Sequence, residues 1–153
     1  MLTWKEEKTI PANIEKVWEL FSDENLQRIM PNVVEHTPIE KKEGIVGSTY
    51  RQSYKEGRRI ETYIVETLAY ENTENQKHLA IGFNLAKAFE IQTMFTLIKV
   101  DESQTRFIYE GSNKGINFIG KVMLKLAGEK NNNKVVQDFM DTVERESLVS
   151  ATA

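Results

Sequence analysis

Few residues in this 153-residue chain have the chemistry to attack, transfer or ligate. There is no cysteine, which removes thiolate nucleophiles, disulfides and sulfur-based metal centres together. No Gly-x-Ser-x-Gly elbow occurs. The two histidines, His36 and His78, fall in separate β-patterned segments with no second His or Cys at helical or hairpin spacing. A covalent nucleophile and a metal site are therefore not expected. Gly44, Gly47 and Gly57 occupy turn positions, where permissive backbone geometry is reason enough for glycine, so no phosphate-cradling loop and no cofactor are expected either. Three groups could still act. His36 can reach the mouth of a pocket, whereas period-2 geometry turns His78 to solvent if Leu79, Ile81 and Phe83 face inward. Glu66, beside Ile64, Val65 and Leu68, would be a general acid or base if its face is the inner one; outward solvation is the simpler account. Lys114, Lys121, Lys125, Lys130 and Lys134 gather around Ile116, Phe118 and Val122, a pattern open to two readings, a membrane-surface helix and an ordinary solvated helix face.

The elements that must position these groups can be read from changes of period. Leu2, Trp4 and Ile10 alternate with charged residues in a first strand that ends at Pro11. Ile14, Val17, Trp18 and Phe21 then repeat helically behind Asn13 as N-cap, and Asp23 can cap a second short helix over Glu24–Met30, stopped by Pro31. From Val33 to Glu110 the signals are β, cut by Glu43-Gly44, Glu56-Gly57, residues 71–75 and residues 101–104 into five or six strands. Links this short join antiparallel neighbours, so the sheet is expected to be a meander. Tyr50, Gln52 and Tyr54 share one face, as do Leu79, Ile81 and Phe83, while the register of Arg59–Leu68 stays open. The cover for the apolar face is the C-terminal helix, with the stripe Val135, Val136, Phe139, Met140 and Val143. An upstream stripe, Phe118, Ile119, Val122, Met123 and Leu126, lies about a quarter turn away. Gly128 and Asn131–Asn133 between the two predict a kink or break, against one curved helix over 117–149.

Composition bounds the function class. Hydrophobic residues are 40% and charged residues 28%, the balance of an ordinary globular chain, and no linker or repeat divides 1–153 into more than a single domain. With 20 Lys+Arg against 23 Asp+Glu there is no broad basic field to attract nucleic acid. No apolar run reaches the ~20 residues of a membrane span, and the charged start lacks a signal-peptide core, so a soluble, cytoplasmic protein is expected.

One strand, two small helices, a long meander and a final helix is the order of the helix-grip fold. Particular residues sharpen the likeness: Ile10-Pro11-Ala12, Val17-Trp18-Glu19-Leu20, Ser22-Asp23, Pro31, Val46-Gly47, Glu66-Thr67-Leu68 and Thr105-Arg106-Phe107. Over nearly its whole length the chain resembles the START-related superfamily (SRPBCC), which includes polyketide cyclases and dehydrases, lipid-transfer domains and allergens of the birch-pollen type. The matching residues are structural, so they specify a fold and not a reaction. The resemblance implies an α+β domain whose bent antiparallel sheet wraps the last helix, with an elongated pocket between them for a small hydrophobic molecule. Met30, Tyr50, Gln52, Tyr54, Ile81, Phe83, Phe95, Tyr109 and Phe139 are its expected lining. Three functions fit: a non-catalytic binder or carrier first, then a cyclase or dehydratase-type lyase on an aromatic or polyketide-like substrate, using Glu66, His36 or a tyrosine, and last a protein-interaction module.

Overall fold

The computed structural model describes residues 1–149, the side chains of 126–130 excepted. The elements run β1 (Leu2–Ile10), α1 (Ile14–Glu19), α2 (Leu26–Ile29), β2 (Val33–Glu40), β3 (Thr49–Glu56), β4 (Arg59–Asn72), β5 (Gln76–Leu85), β6 (Phe89–Asp101), β7 (Gln104–Gly115) and α3 (Phe118–Ser147). All strand pairs are antiparallel, in the order β1-β7-β6-β5-β4-β3-β2. The meander thus closes on β1 at one edge, leaving β2 at the other. This is the α+β helix-grip arrangement, the concave face being covered by α1, α2 and α3.

Local chemistry explains the joints. Asn13 Oδ1 accepts from the Glu15 N–H at 2.9 Å, capping α1 as its position demands. Thr105, fully buried, donates its hydroxyl to the Ala12 carbonyl at 2.8 Å, pinning the start of β7 beneath the turn after β1. Beside it Arg106 pairs with Glu7 across β1 and β7. Ile10, Ile14, Val17, Leu20, Leu97 and Phe107 make the core with Val136, Met140 and Val143 of α3. The last helix is then clamped from outside by Lys8, whose ammonium reaches Asp141 at 2.8 Å and Glu144 at 3.1 Å, and by Arg28 on Glu146 at 3.1 Å.

Three expectations change, and the register left open in β4 is decided. The second helix is shorter than Glu24–Met30: it spans Leu26–Ile29 behind Asn25, whose side chain makes no cap bond, because Asp23 is drawn instead to His36 and Lys41. The last helix is unbroken from 118 to 147, since an interior glycine costs only about 1 kcal/mol and packing of the C-terminal half outweighs it. Val135 belongs to the solvent face, 58% exposed, and the buried stripe is Val136, Met140 and Val143 with Phe139 beside it. Most of the upstream stripe is exposed as well, Leu126 lying outside the described side chains. The register of β4 resolves with Tyr63, Val65 and Thr67 inward and Ile60, Ile64 and Leu68 outward, so Glu66 also faces solvent and loses its candidacy as an acid or base. A bulge at Leu68, between Thr67 and Ala69, follows.

Candidate functional site

The concave face is divided. Under the C-terminal half of α3, Phe139 meets Tyr109, Phe95 and Phe107 with ring centroids 4.8, 5.8 and 6.4 Å apart. Tyr109 in turn stacks on Phe95 at 5.3 Å. This cluster fills the part of the expected pocket that lay between the sheet and the last helix. The open volume lies beside it, a cavity of about 390 Å³ between α1–α2 and the inner face of β3 to β6, and no described residue of α3 lines it. Its apolar wall is Trp18, Phe21, Leu26, Met30, Leu79, Ile81 and Phe95. Phe21 packs on Phe95 at 5.0 Å and Trp18 on Tyr70 at 5.9 Å, so the two short helices roof the cavity with aromatic rings that the sheet holds in place.

Of the nine residues expected to line the pocket, Met30, Tyr50, Gln52, Ile81 and Phe95 are on its wall. The others are elsewhere. Tyr54 sits near the sheet edge, where its hydroxyl accepts from Asn32 at 3.3 Å. Phe83 stacks on Tyr63 at 4.5 Å, and Tyr109 and Phe139 belong to the filled cluster. Among those missed by the sequence reading are Trp18, Phe21, Asp23, Lys41, Val65, Thr67, Tyr70 and Leu79, which also line the cavity. Leu79 shares the face of Ile81, so its alternation was a usable signal; Val65 and Thr67 needed the unresolved register of β4.

Part of the cavity wall is polar. His36 on β2 lies flat against Tyr50 on β3, ring centroids 4.6 Å apart and 13° from parallel. Its Nδ1–H donates to Gln52 Oε1 at 2.8 Å, and Gln52 Nε2 donates onward to the Tyr63 hydroxyl at 2.9 Å. On the other side His36 Nε2 faces Asp23 Oδ1 at 3.1 Å, and Lys41 reaches Asp23 Oδ2 at 3.1 Å. Asp23 therefore ties the loop before α2 to β2 and to the β2–β3 connection. Its carboxylate holds the Lys41 ammonium above the ordinary lysine range. Burial, and then the negative charge of Asp23, push the Tyr50 phenol up; burial does the same for Tyr63 against the opposing bond from Gln52. Both phenols consequently stay neutral at physiological pH, as hydrogen-bond donors and acceptors.

His78 is outside the cavity, its Nδ1 within 2.8 Å of Thr96 Oγ1 on β6. Among the described residues no group of three or more acidic or histidine side chains is placed to hold a metal ion, and no helix is long and apolar enough to cross a membrane.

The fold recurs widely. A conserved protein from Geobacillus kaustophilus superposes with a TM-score of 0.72 at 12% identity over 95% of both chains. The Zhui aromatase/cyclase from Streptomyces sp. R1128 gives 0.67 at 14% identity, covering 99% of this chain and 98% of that one. Truncated norcoclaurine synthase from Thalictrum flavum gives 0.65 at 11%, covering 97% and 94%. At these identities the likeness is one of fold alone, and no curated protein matches the chain. The sequence model of one family, described as polyketide cyclase / dehydrase and lipid transport, matches residues 1–147. By that match over nearly its whole length, the chain belongs to the polyketide cyclase/dehydrase and lipid-transport family.

Proposed function

We propose that this protein binds a small, largely hydrophobic molecule carrying one polar end. The observation that supports this is the cavity itself: about 390 Å³, within the range of small-molecule sites, with an apolar wall and, on the same lining, the connected polar cluster Asp23, His36, Lys41, Tyr50 and Gln52. Burial against Trp18, Phe21, Ile81 and Phe95 supplies affinity at ~25 cal/mol per Å² of apolar surface removed from water. The polar cluster orients the ligand, offering the Tyr50 hydroxyl and the Lys41 ammonium to a hydroxyl, carbonyl or carboxylate. Native mass spectrometry of freshly purified protein and a dye-displacement screen of fatty acids, sterols and flavonoids test the reading. Ile81→Trp, which narrows the cavity, should abolish displacement. No co-purified species together with no compound binding below about 100 μM, some −5.5 kcal/mol, would end it.

A second reading, lyase chemistry on an aromatic or polyketide-like substrate, draws on the His36–Asp23 pair at the cavity wall. Against it, both ring nitrogens of His36 are held by protein groups, so a substrate would have to displace Asp23 or Gln52 before His36 could move a proton. Binding of substrate-like aromatics with turnover that His36→Gln abolishes while leaving binding intact would favour this reading over simple carriage.

A further inference from the structure

The start of α3 is mounted rigidly, and it points apolar side chains at solvent. Asn117 Oδ1 accepts from the Gly120 N–H at 2.8 Å, and its Nδ2 donates to the Lys87 carbonyl at 3.0 Å in the β5–β6 turn. The Ile116 N–H donates to the Ala88 carbonyl at 2.9 Å. Helix and turn are so close that a Cβ on Gly120 would lie 2.1 Å from the Ala88 carbonyl oxygen. On this fixed base Phe118 is 81% exposed and Ile119 65%, with Met123 half exposed one turn on. The exposure is thus imposed by the seating of the helix. Around these residues stand the exposed Lys87, Lys114, Lys121 and Lys125, which join no ion pair among the described residues. One carboxylate, Glu90, stands opposite Lys114 in the β6–β7 register. The chain carries 23 acidic against 20 basic residues, yet residues 114–125 hold three lysines and no acid, so positive charge is gathered at this end.

We propose that this end of the molecule docks on an anionic lipid surface, with Phe118, Ile119 and Met123 entering the headgroup boundary and the lysines facing lipid phosphates. Apolar and aromatic side chains projecting from a basic helix face are what an interfacial helix presents to a bilayer. A second copy of this chain is the poorer occupant, because a two-fold contact would set the same four lysines against one another. The docking end is also remote from the cavity. α3 is 30 residues and hence about 45 Å long; its opposite end is the one that meets α2 through Arg28 and Glu146. The proposal does not depend on what the cavity holds.

Co-sedimentation with vesicles of phosphatidylcholine mixed with phosphatidylglycerol, against pure phosphatidylcholine vesicles, is the test. The full chain should pellet with the mixed vesicles, release as salt is raised, and stay in solution with the pure ones. Each surface lysine contributes about fivefold to such partitioning, so Lys121→Gln with Lys125→Gln should weaken it about 25-fold. Phe118→Ser should weaken it about tenfold or more. These side chains are exposed, so melting curves of the variants should match the parent, which separates lost docking from lost folding. Equal binding to both vesicle types, no binding to either, or binding unchanged in the lysine and Phe118 variants overturns the proposal. So does a dimer in light scattering that Phe118→Ser dissolves.

Discussion

Replacing Phe139 by alanine tests the claim that the C-terminal half of α3 covers a filled core and not an open pocket. The ring contacts Tyr109, Phe95 and Phe107 at 4.8, 5.8 and 6.4 Å. Truncating a core Phe costs about 3–5 kcal/mol, and each favourable ring pair contributes about 0.5–1.5 kcal/mol beyond its buried area. Because Phe139 is only partly buried, the lower end, about 3 kcal/mol, is expected. For a chain of this size that lowers Tm by roughly 6–12 °C. Urea unfolding gives the free energy directly, and the m-value should match the parent, since the surface exposed on unfolding barely changes. The control is one turn back. Val135 is 58% exposed, so Val135→Ala should stay within about 0.5 kcal/mol. A loss below about 1 kcal/mol at Phe139, or a larger loss at Val135 than at Phe139, would mean that the helix is rotated and the cavity has been placed on the wrong side of the cluster.

Other outcomes follow from the same geometry. Gly120→Ala puts a methyl group 2.1 Å from the Ala88 carbonyl oxygen, a backbone atom that cannot yield cheaply, so denaturant melts should show a loss of about 1–3 kcal/mol or more. Asp23→Asn removes the charge shared by His36 and Lys41; the Tyr50 phenol, raised in part by that charge, should then ionise at lower pH in a 295 nm titration. Burial among aromatic rings holds the Tyr109 phenol far above its ordinary 10. The folded state therefore keeps a proton that the unfolded chain releases, and stability should fall as pH rises past about 10. Tyr109→Phe should flatten that alkaline decline in melts from pH 9 upward, and an unchanged slope would assign the decline to other groups.

The fold was legible because each element carries its own period. The alternation of Leu2 to Ile10, the helical spacing of Ile14 to Trp18 and the capping Asn13 each act locally, and a local rule needs no tertiary knowledge. Legibility failed where two local rules compete. In β4, Ile60, Ile64 and Leu68 are as apolar as Tyr63 and Val65, and only pairing with β3 and β5 decides which set is buried. Lys77 shows the limit from the other side. It stands on the inner face of β5, 2% exposed, because Glu15 at 2.8 Å and the Thr73 carbonyl at 3.0 Å receive its ammonium. A sequence rule that sends lysine to solvent cannot anticipate partners 62 and 4 residues away.

The site was half legible for a related reason. The aromatic inner face could be read from alternation, but alternation says which side of the sheet a ring occupies, not whether another ring lies opposite. Phe95 makes the point: one face stacks on Tyr109 in the filled cluster, while the residue also lines the cavity beside Phe21. The boundary between core and pocket thus runs through a single side chain. The cavity side is spanned by α1–α2, and Asp23 is one of the ties on that span, beside the ring contacts of Trp18 and Phe21 with the sheet. Asp23 was suited to capping a helix and is used instead as a strut, reaching His36 on β2 and Lys41 beyond it. Cutting this strut should let the α1–α2 loop settle onto Ile81 and Phe95. Asp23→Ala is thus expected to lose dye binding and about 1–3 kcal/mol of stability, because His36, its partner, is largely buried and is left with one ring nitrogen unmatched. Full dye binding in Asp23→Ala would show that the aromatic roof of Trp18 and Phe21 holds itself open.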